Sequence, residues 1–214
     1  MQKINKTFAI IMALMLIATF SFSIMHINAA ANPGEVSVKI KPSTSSYTTT
    51  GVECTLKCKN AKWIEGHPIN CSVVSEIKLK DGVGIGYASC KPPSGTKTKT
   101  MKFKYRGVNG SATGPWKTVK VLVPGCVNIK TSSFTKGKKF SLKWDKAQGA
   151  NKYSVVFYEK DKNGKVINSN DKTVSNKCSS INISPKKNTV KIEVHLRSLG
   201  KQADSCRYKV LKAK

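Results

Sequence analysis

Residues 140–167 read FSLKWDKAQGANKYSVVFYEKDKNGKVI, and few folds other than paired strands can use such a stretch. Phe140, Leu142 and Trp144 alternate with Ser141 and Lys143, the period-two pattern of a strand with one buried face. The polar run DKAQGAN, with Gly149 near its end, turns the chain. Tyr153, Val155 and Phe157 then alternate through a second strand apolar enough to be central. Asp161-Lys162-Asn163-Gly164 predicts a hairpin, because Asn-Gly supplies the positive φ angles of a type I′ turn. Val166 and Ile167 begin the return strand. No helical period occurs after residue 31, so the expectation is an all-β chain.

The N-terminus reads differently. Lys3 and Lys6 precede an apolar run from Phe8 to Phe22, and Asn28-Ala29-Ala30-Ala31 follows. This is the pattern of a secretory signal peptide of bacterial style over residues 1–31, with cleavage after Ala30 or Ala31. No later segment approaches the length needed to span a membrane. The expected product is therefore secreted and extracellular, or held at a cell surface. Its length suits two small domains, residues 32–124 and 125–214, meeting at Pro124-Gly125-Cys126.

Short alternating runs fill both halves. In the first, Val36, Val38 and Ile40 form an opening strand, and residues 52–58 carry Cys54, Leu56 and Cys58 on one face. Residues 61–64 read as a short strand and Glu65-Gly66-His67-Pro68 as a loop. Further β-runs cover 73–79 and 83–89, split by Asp81-Gly82. Met101, Phe103 and Tyr105 alternate with Lys102, Lys104 and Arg106, and Val119, Val121 and Val123 alternate after Trp116. In the second half, Val127-Asn128-Ile129 opens, residues 180–183 follow, and Val190, Ile192, Val194 and Leu196 point inward. Cys206, Tyr208 and Val210 alternate at the end. About seven short strands per half, with regular turns, is a sandwich pattern.

The Trp144-ending strand, its loop and the Tyr153-starting strand resemble the B–C region of fibronectin type III domains. The run MKFKYRGVNGSATGPWKTVKVLV resembles that family's F strand, FG loop and G strand. The resemblance spans residues 127–214 and about 98–123. It implies two tandem immunoglobulin-like or fibronectin type III-like β-sandwiches, the first carrying cysteines. It also implies modules that act as spacers, adhesion units or ligand binders. The chain departs from the family pattern in lacking a Tyr at the start of the strand beginning near Val190.

Charge sets the expected partners. The chain has 38 Lys+Arg against 11 Asp+Glu, a net charge of +27, and only Arg106, Arg197 and Arg207 are arginines. Lysine is a flexible point charge, so this bias predicts salt-sensitive adherence to anionic polymers more than bidentate recognition. The partners expected are an anionic cell-envelope polymer or acidic polysaccharide, with nucleic acid bound only nonspecifically. Candidate ligand-binding residues are Trp63 and Trp116 with Lys102, Lys104, Arg106 and Lys117, since Trp faces stack on rings and cations meet anions.

Seven cysteines in an exported chain predict disulfides. Cys178 pairs economically with Cys206. Two bridges fall among Cys54, Cys58, Cys71 and Cys90 in any of three connectivities, and Cys126 is left over. There is no CxxC pair for zinc, no Gly-rich phosphate loop and no carboxylate pair, so no catalytic, metal or cofactor site is expected. His67 lies four residues before Cys71, but a loop histidine beside a disulfide cysteine is the better reading than a Cys–His nucleophile. The function expected is a non-enzymatic binding, adhesion or structural module. The alternatives are a cationic effector acting on membranes and an accessory domain of an extracellular carbohydrate-active system.

Overall fold

The computed structural model describes residues 30–43 and 45–214. The signal peptide expected over residues 1–31 falls almost entirely outside the described residues. Every element among those described is a strand. In the first unit these are β1 (Ser37–Pro42), β2 (Thr50–Lys57), β3 (Trp63–Pro68), β4 (Ser72–Val73) and β5 (Glu76–Lys78). They continue with β6 (Val83–Cys90), β7 (Lys99–Asn109), β8 (Ala112–Thr113) and β9 (Lys117–Val123). One sheet runs β1-β2-β6-β4; the other runs β5-β3-β7, with β9 pairing along β7 and β8 at its end. Alternation turns Leu56, Ile64, Met101, Phe103, Tyr105 and Val121 into the shared core.

The second unit comprises β10 (Asn128–Ile129), β11 (Ser133–Phe134), β12 (Phe140–Asp145) and β13 (Lys152–Lys160). It is completed by β14 (Val166–Ser175), β15 (Ser180–Ile183), β16 (Lys191–Leu199) and β17 (Asp204–Ala213). A sheet β10-β12-β15 packs on a sheet β11-β17-β16-β13-β14. The stretch singled out from sequence is its centre. Trp144 and Tyr153 meet edge-on, ring centroids 5.8 Å apart, and the Tyr153 hydroxyl accepts from the Ala147 amide at 2.9 Å. One tyrosine thus fills the core and closes the loop that leads to it.

The corner between β15 and β16, where the family's tyrosine is missing, is held by a buried carboxylate. Glu159 on β13 is fully buried. Its Oε2 accepts from Thr189 Oγ1 at 2.6 Å and the Lys186 amide at 2.9 Å, and Oε1 accepts from Asn168 Nδ2 at 2.7 Å. Buried acceptors require donors, and here three converge, two from the turn before β16 and one from β14.

Four local expectations are corrected. The type I′ turn belongs to Asp81-Gly82, both with positive φ (52° and 72°), not to Asn163-Gly164. At the latter only Gly164 is left-handed (φ 78°), because Asp161 Oδ1 accepts from the Asn163 and Lys165 amides and stabilises a different turn with a strand irregularity beside it. Residues 65–68 are not a loop but part of β3, since Glu65, Gly66, His67 and Pro68 pair with Arg106, Tyr105, Lys104 and Phe103. The run 73–79 breaks into β4 and β5, which serve different sheets. On β17 the inward face is not Cys206, Tyr208 and Val210: Leu211 is buried opposite Ile192, while Tyr208 lies outward, 4.9 Å from the His195 ring. Arg207 and Lys209 take the other face and extend to the Val127 and Ile129 carbonyls.

The two units share a built elbow. Pro124, Gly125, Cys126 and Val127 are all buried. Cys126 donates its amide to Gly95 O at 2.9 Å, Gln148 donates to Thr96 O at 2.8 Å, and Arg207 donates to Ser94 O at 2.8 Å. Ala203, from the turn between β16 and β17, packs fully buried into the first unit's core.

Candidate functional site

The site is assembled on the outer face of the sheet β5-β3-β7-β9. Because strand side chains alternate, burying Met101, Phe103 and Tyr105 forces Lys102, Lys104 and Arg106 outward. Register then fixes their neighbours. Lys102 lies opposite Lys120 on β9, Lys104 lies between Thr118 on β9 and His67 on β3, and Arg106 lies opposite Glu65 on β3.

Trp116, in the segment between β8 and β9, folds back over this face. Gly114 makes the path feasible: a Cβ there would come within 2.8 Å of Pro33 O and 2.9 Å of Gly34 O. Trp116 is 36% exposed, with Arg106 Cζ 4.5 Å and Lys104 Nζ 5.0 Å from a ring centroid. The His67 ring meets it at 5.9 Å, tilted by 62°. Arg106 Nε also pairs with Glu65 Oε2 at 2.6 Å, which fixes the guanidinium beneath the indole.

Two kinds of cation result. Arg106 is neutralised and held. Lys102, Lys104 and Lys120 form no ion pair among the described residues. A lysine cluster on the second unit behaves differently: Glu193 pairs with Lys160 at 2.9 Å and Lys191 at 2.7 Å, and these cations hold its carboxyl below the usual carboxylate range.

Of the residues expected from sequence, Trp116, Lys102, Lys104 and Arg106 therefore share one face. Trp63 is on the same face of β3, half-buried opposite Val108 and Lys78, away from the indole of Trp116. Lys117 does not join them. It lies opposite the inward-pointing Tyr105 and pairs with Glu35 Oε1 at 2.5 Å. His67 and Lys120 were not among the expected ligand residues. Parity from Val119 and Val121 would have placed Lys120 outward, but nothing in the sequence brings His67 to Trp116.

All seven cysteines are free, including Cys54, Cys58, Cys71 and Cys90 in the first unit. Cys58 donates to Gly34 O at 3.1 Å, and Cys71 donates to Lys102 O at 3.3 Å. Burial pushes the Cys71 thiol up, the reverse of what an activated thiolate requires, and its sequence neighbour His67 is engaged with Trp116. Cys178 packs against the second unit's core while Cys206 is set against Cys126. No group of three or more His, Cys, Asp or Glu suited to a metal occurs among the described residues.

The first sheet of each unit joins its first, second and fifth principal strands, and the facing sheet joins the third, sixth and seventh. Each unit is thus an immunoglobulin-like or fibronectin type III-like β-sandwich. No protein-family model matches the chain, and no curated protein matches it in sequence. Among solved structures, the chain is similar to the FN1-FN3 domains of chicken CNTN1, at 15% identity and a TM-score of 0.34, covering 86% of this chain and 68% of that one. It is also similar to a two-domain fibronectin type III segment of chicken tenascin, at 15% identity and a TM-score of 0.35, covering 85% and 99%. The strand order carries the fold assignment.

Proposed function

We propose that this chain is an exported, non-enzymatic binding module that adheres to anionic envelope or extracellular polymers through the Lys102–Lys104–Lys120 face and its Trp116 platform. One observation carries the reading. Lys102 and Lys120 oppose each other directly across β7 and β9, and neither is ion-paired among the described residues. Like charges in that position, side chains roughly 5 Å apart, destabilise a sheet. Sequences keep such local violations chiefly where function repays them. A linear polyanion lying across the strands would neutralise all three lysines, with the exposed Trp116 offering a surface for a ring or an apolar segment.

Export is supported by the leader at residues 1–31, and the net charge of +27 supports long-range attraction. Polymer adherence needs no catalytic group, in keeping with a fibronectin type III-like module.

The test is binding of the protein to polyphosphate across a salt series. In nucleic-acid systems each ionic contact contributes roughly 0.7–0.9 to the slope of log K against log salt. K102A/K104A/K120A is expected to make the slope shallower by about 2 to 3. K136A/K138A/K139A removes the same charge from another surface and is expected to change it little. Equal effects of the two variants would mean that net charge alone governs binding, and the site assignment would be wrong.

A further inference from the structure

Segment 125–129 and segment 205–209 run side by side at a constant offset. Ser205 Oγ donates to Gly125 O at 2.8 Å, Cys126 Sγ to Cys206 O at 3.6 Å, Arg207 Nε to Val127 O at 3.3 Å and Lys209 Nζ to Ile129 O at 2.6 Å. Each contact spans 80 residues of sequence. Constant separation means parallel, in-register packing, which sets Cys126 beside Cys206. The Cys126 thiol touches the Cys206 carbonyl directly, so no other residue separates the two cysteines. Both thiols are buried, yet both line a cleft of about 860 Å³ at the elbow, alongside Tyr47, Lys91, Lys97 and Arg207. A small oxidant therefore has a route to them.

We propose that Cys126 and Cys206 form a disulfide under oxidising conditions, stapling the linker between the two sandwiches to strand β17. The step is two thiol–disulfide exchanges. One thiolate attacks a small-molecule disulfide such as oxidised glutathione, releasing one thiol and leaving a mixed disulfide. The second protein thiolate then displaces the remaining half as a second thiol. The two protein thiols are oxidised, the small disulfide is reduced to two thiols, and the protein thiol protons end on them. Closure requires the Cys206 thiol, which now donates to Arg207 O at 3.8 Å, to turn toward Cys126.

The bond would have a mechanical effect. Ala203, just before β17, is inserted in the first unit's core, and the linker amides of Gly125 and Cys126 are bonded to Gln148 O and Gly95 O. Joining residue 126 to residue 206 closes this arrangement covalently, and the reduced elbow would rely on those non-covalent contacts alone. This pairing also differs from the Cys178–Cys206 bridge that chain economy suggests, and it leaves Cys178 as the odd thiol of the second unit.

The full chain, refolded with oxidised and reduced glutathione and digested with trypsin without reduction, decides the matter. Peptide 121–130 (VLVPGCVNIK) is expected covalently joined to peptide 202–207 (QADSCR). Oxidised protein is expected to melt roughly 10 °C or more above the dithiothreitol-treated form, because the bond closes a long loop. C178S should retain the joined peptides, and C126S should leave Cys206 open to alkylation. Peptide 202–207 joined instead to 178–186 (CSSINISPK), or both cysteines alkylated after oxidation, would overturn the proposal. Since the mapping is done on the unmodified chain, its outcome does not depend on any variant folding.

Discussion

Replacing Glu159 with Ala tests how the second sandwich closes its lower corner. The carboxylate is fully buried and receives three donors: Thr189 Oγ1, the Lys186 amide and Asn168 Nδ2. Thr189 is itself fully buried, whereas Lys186 is exposed and Asn168 half-buried, so water can serve the latter two once the acceptor is gone. The cost is then one orphaned buried hydroxyl, at about 1–3 kcal/mol, plus the loss of bonds to a charged acceptor, at about 1.5–3 kcal/mol each and not additive. We expect E159A to lose about 3–5 kcal/mol. E159Q should lose about 1 kcal/mol, because Gln keeps an oxygen for Thr189 and Lys186 while the Asn168 amide can turn its own oxygen to the new NH₂. Urea unfolding read by hydrogen exchange, using peptides from β13 to β16, separates this unit from the first. A buried charge is often no better than an apolar substitute of similar shape, so E159L/T189V should recover part of the E159A loss. If E159A stays within 1 kcal/mol of the parent, or E159Q falls as far as E159A, the corner is held by something other than these hydrogen bonds.

Two further outcomes are expected. Lys191 and then Lys160 lower the Glu193 pKa, so its contribution is present above the ordinary carboxylate range and is lost as pH falls through the folded-state value. Stability of E193Q should trail the parent by less than about 1 kcal/mol at pH 7 and converge with it in acid, which paired melts at pH 7 and pH 3 would reveal. At the elbow, a Cβ on Gly125 would lie 2.0 Å from Thr96 O, a backbone atom that cannot move aside cheaply. G125A should therefore break the contacts of Cys126 with Gly95 and of Gln148 with Thr96, raising the radius of gyration in small-angle scattering; an unchanged value would show the elbow to be dispensable.

Much of the candidate site was legible because a strand has a period of exactly two residues in geometry. Once Met101, Phe103 and Tyr105 are inside, Lys102, Lys104 and Arg106 have nowhere to go but outward. Lys117 misled for a related reason: it begins β9, and its side of the strand depends on pairing with β7, where it falls opposite Tyr105. Parity on β17 was also misread, because Cys206 is buried by the elbow rather than by its own sheet, and burial by a neighbouring unit leaves no periodic trace.

By itself, then, the sequence determined the local part of this protein. Alternation gave most of the strands, Gly149 and Asp81-Gly82 marked turns, and the Trp144–Tyr153 pair placed the second core, since these follow from backbone sterics and side-chain direction over a few residues. Tertiary structure alone decided the contacts between distant segments. It brought His67 and Trp116 together, converged three donors on Glu159, opposed Lys102 to Lys120, and set Cys126 rather than Cys178 beside Cys206. Those contacts depend on strand register and on how two sandwiches meet, and neither is encoded in the periodicity of any one segment.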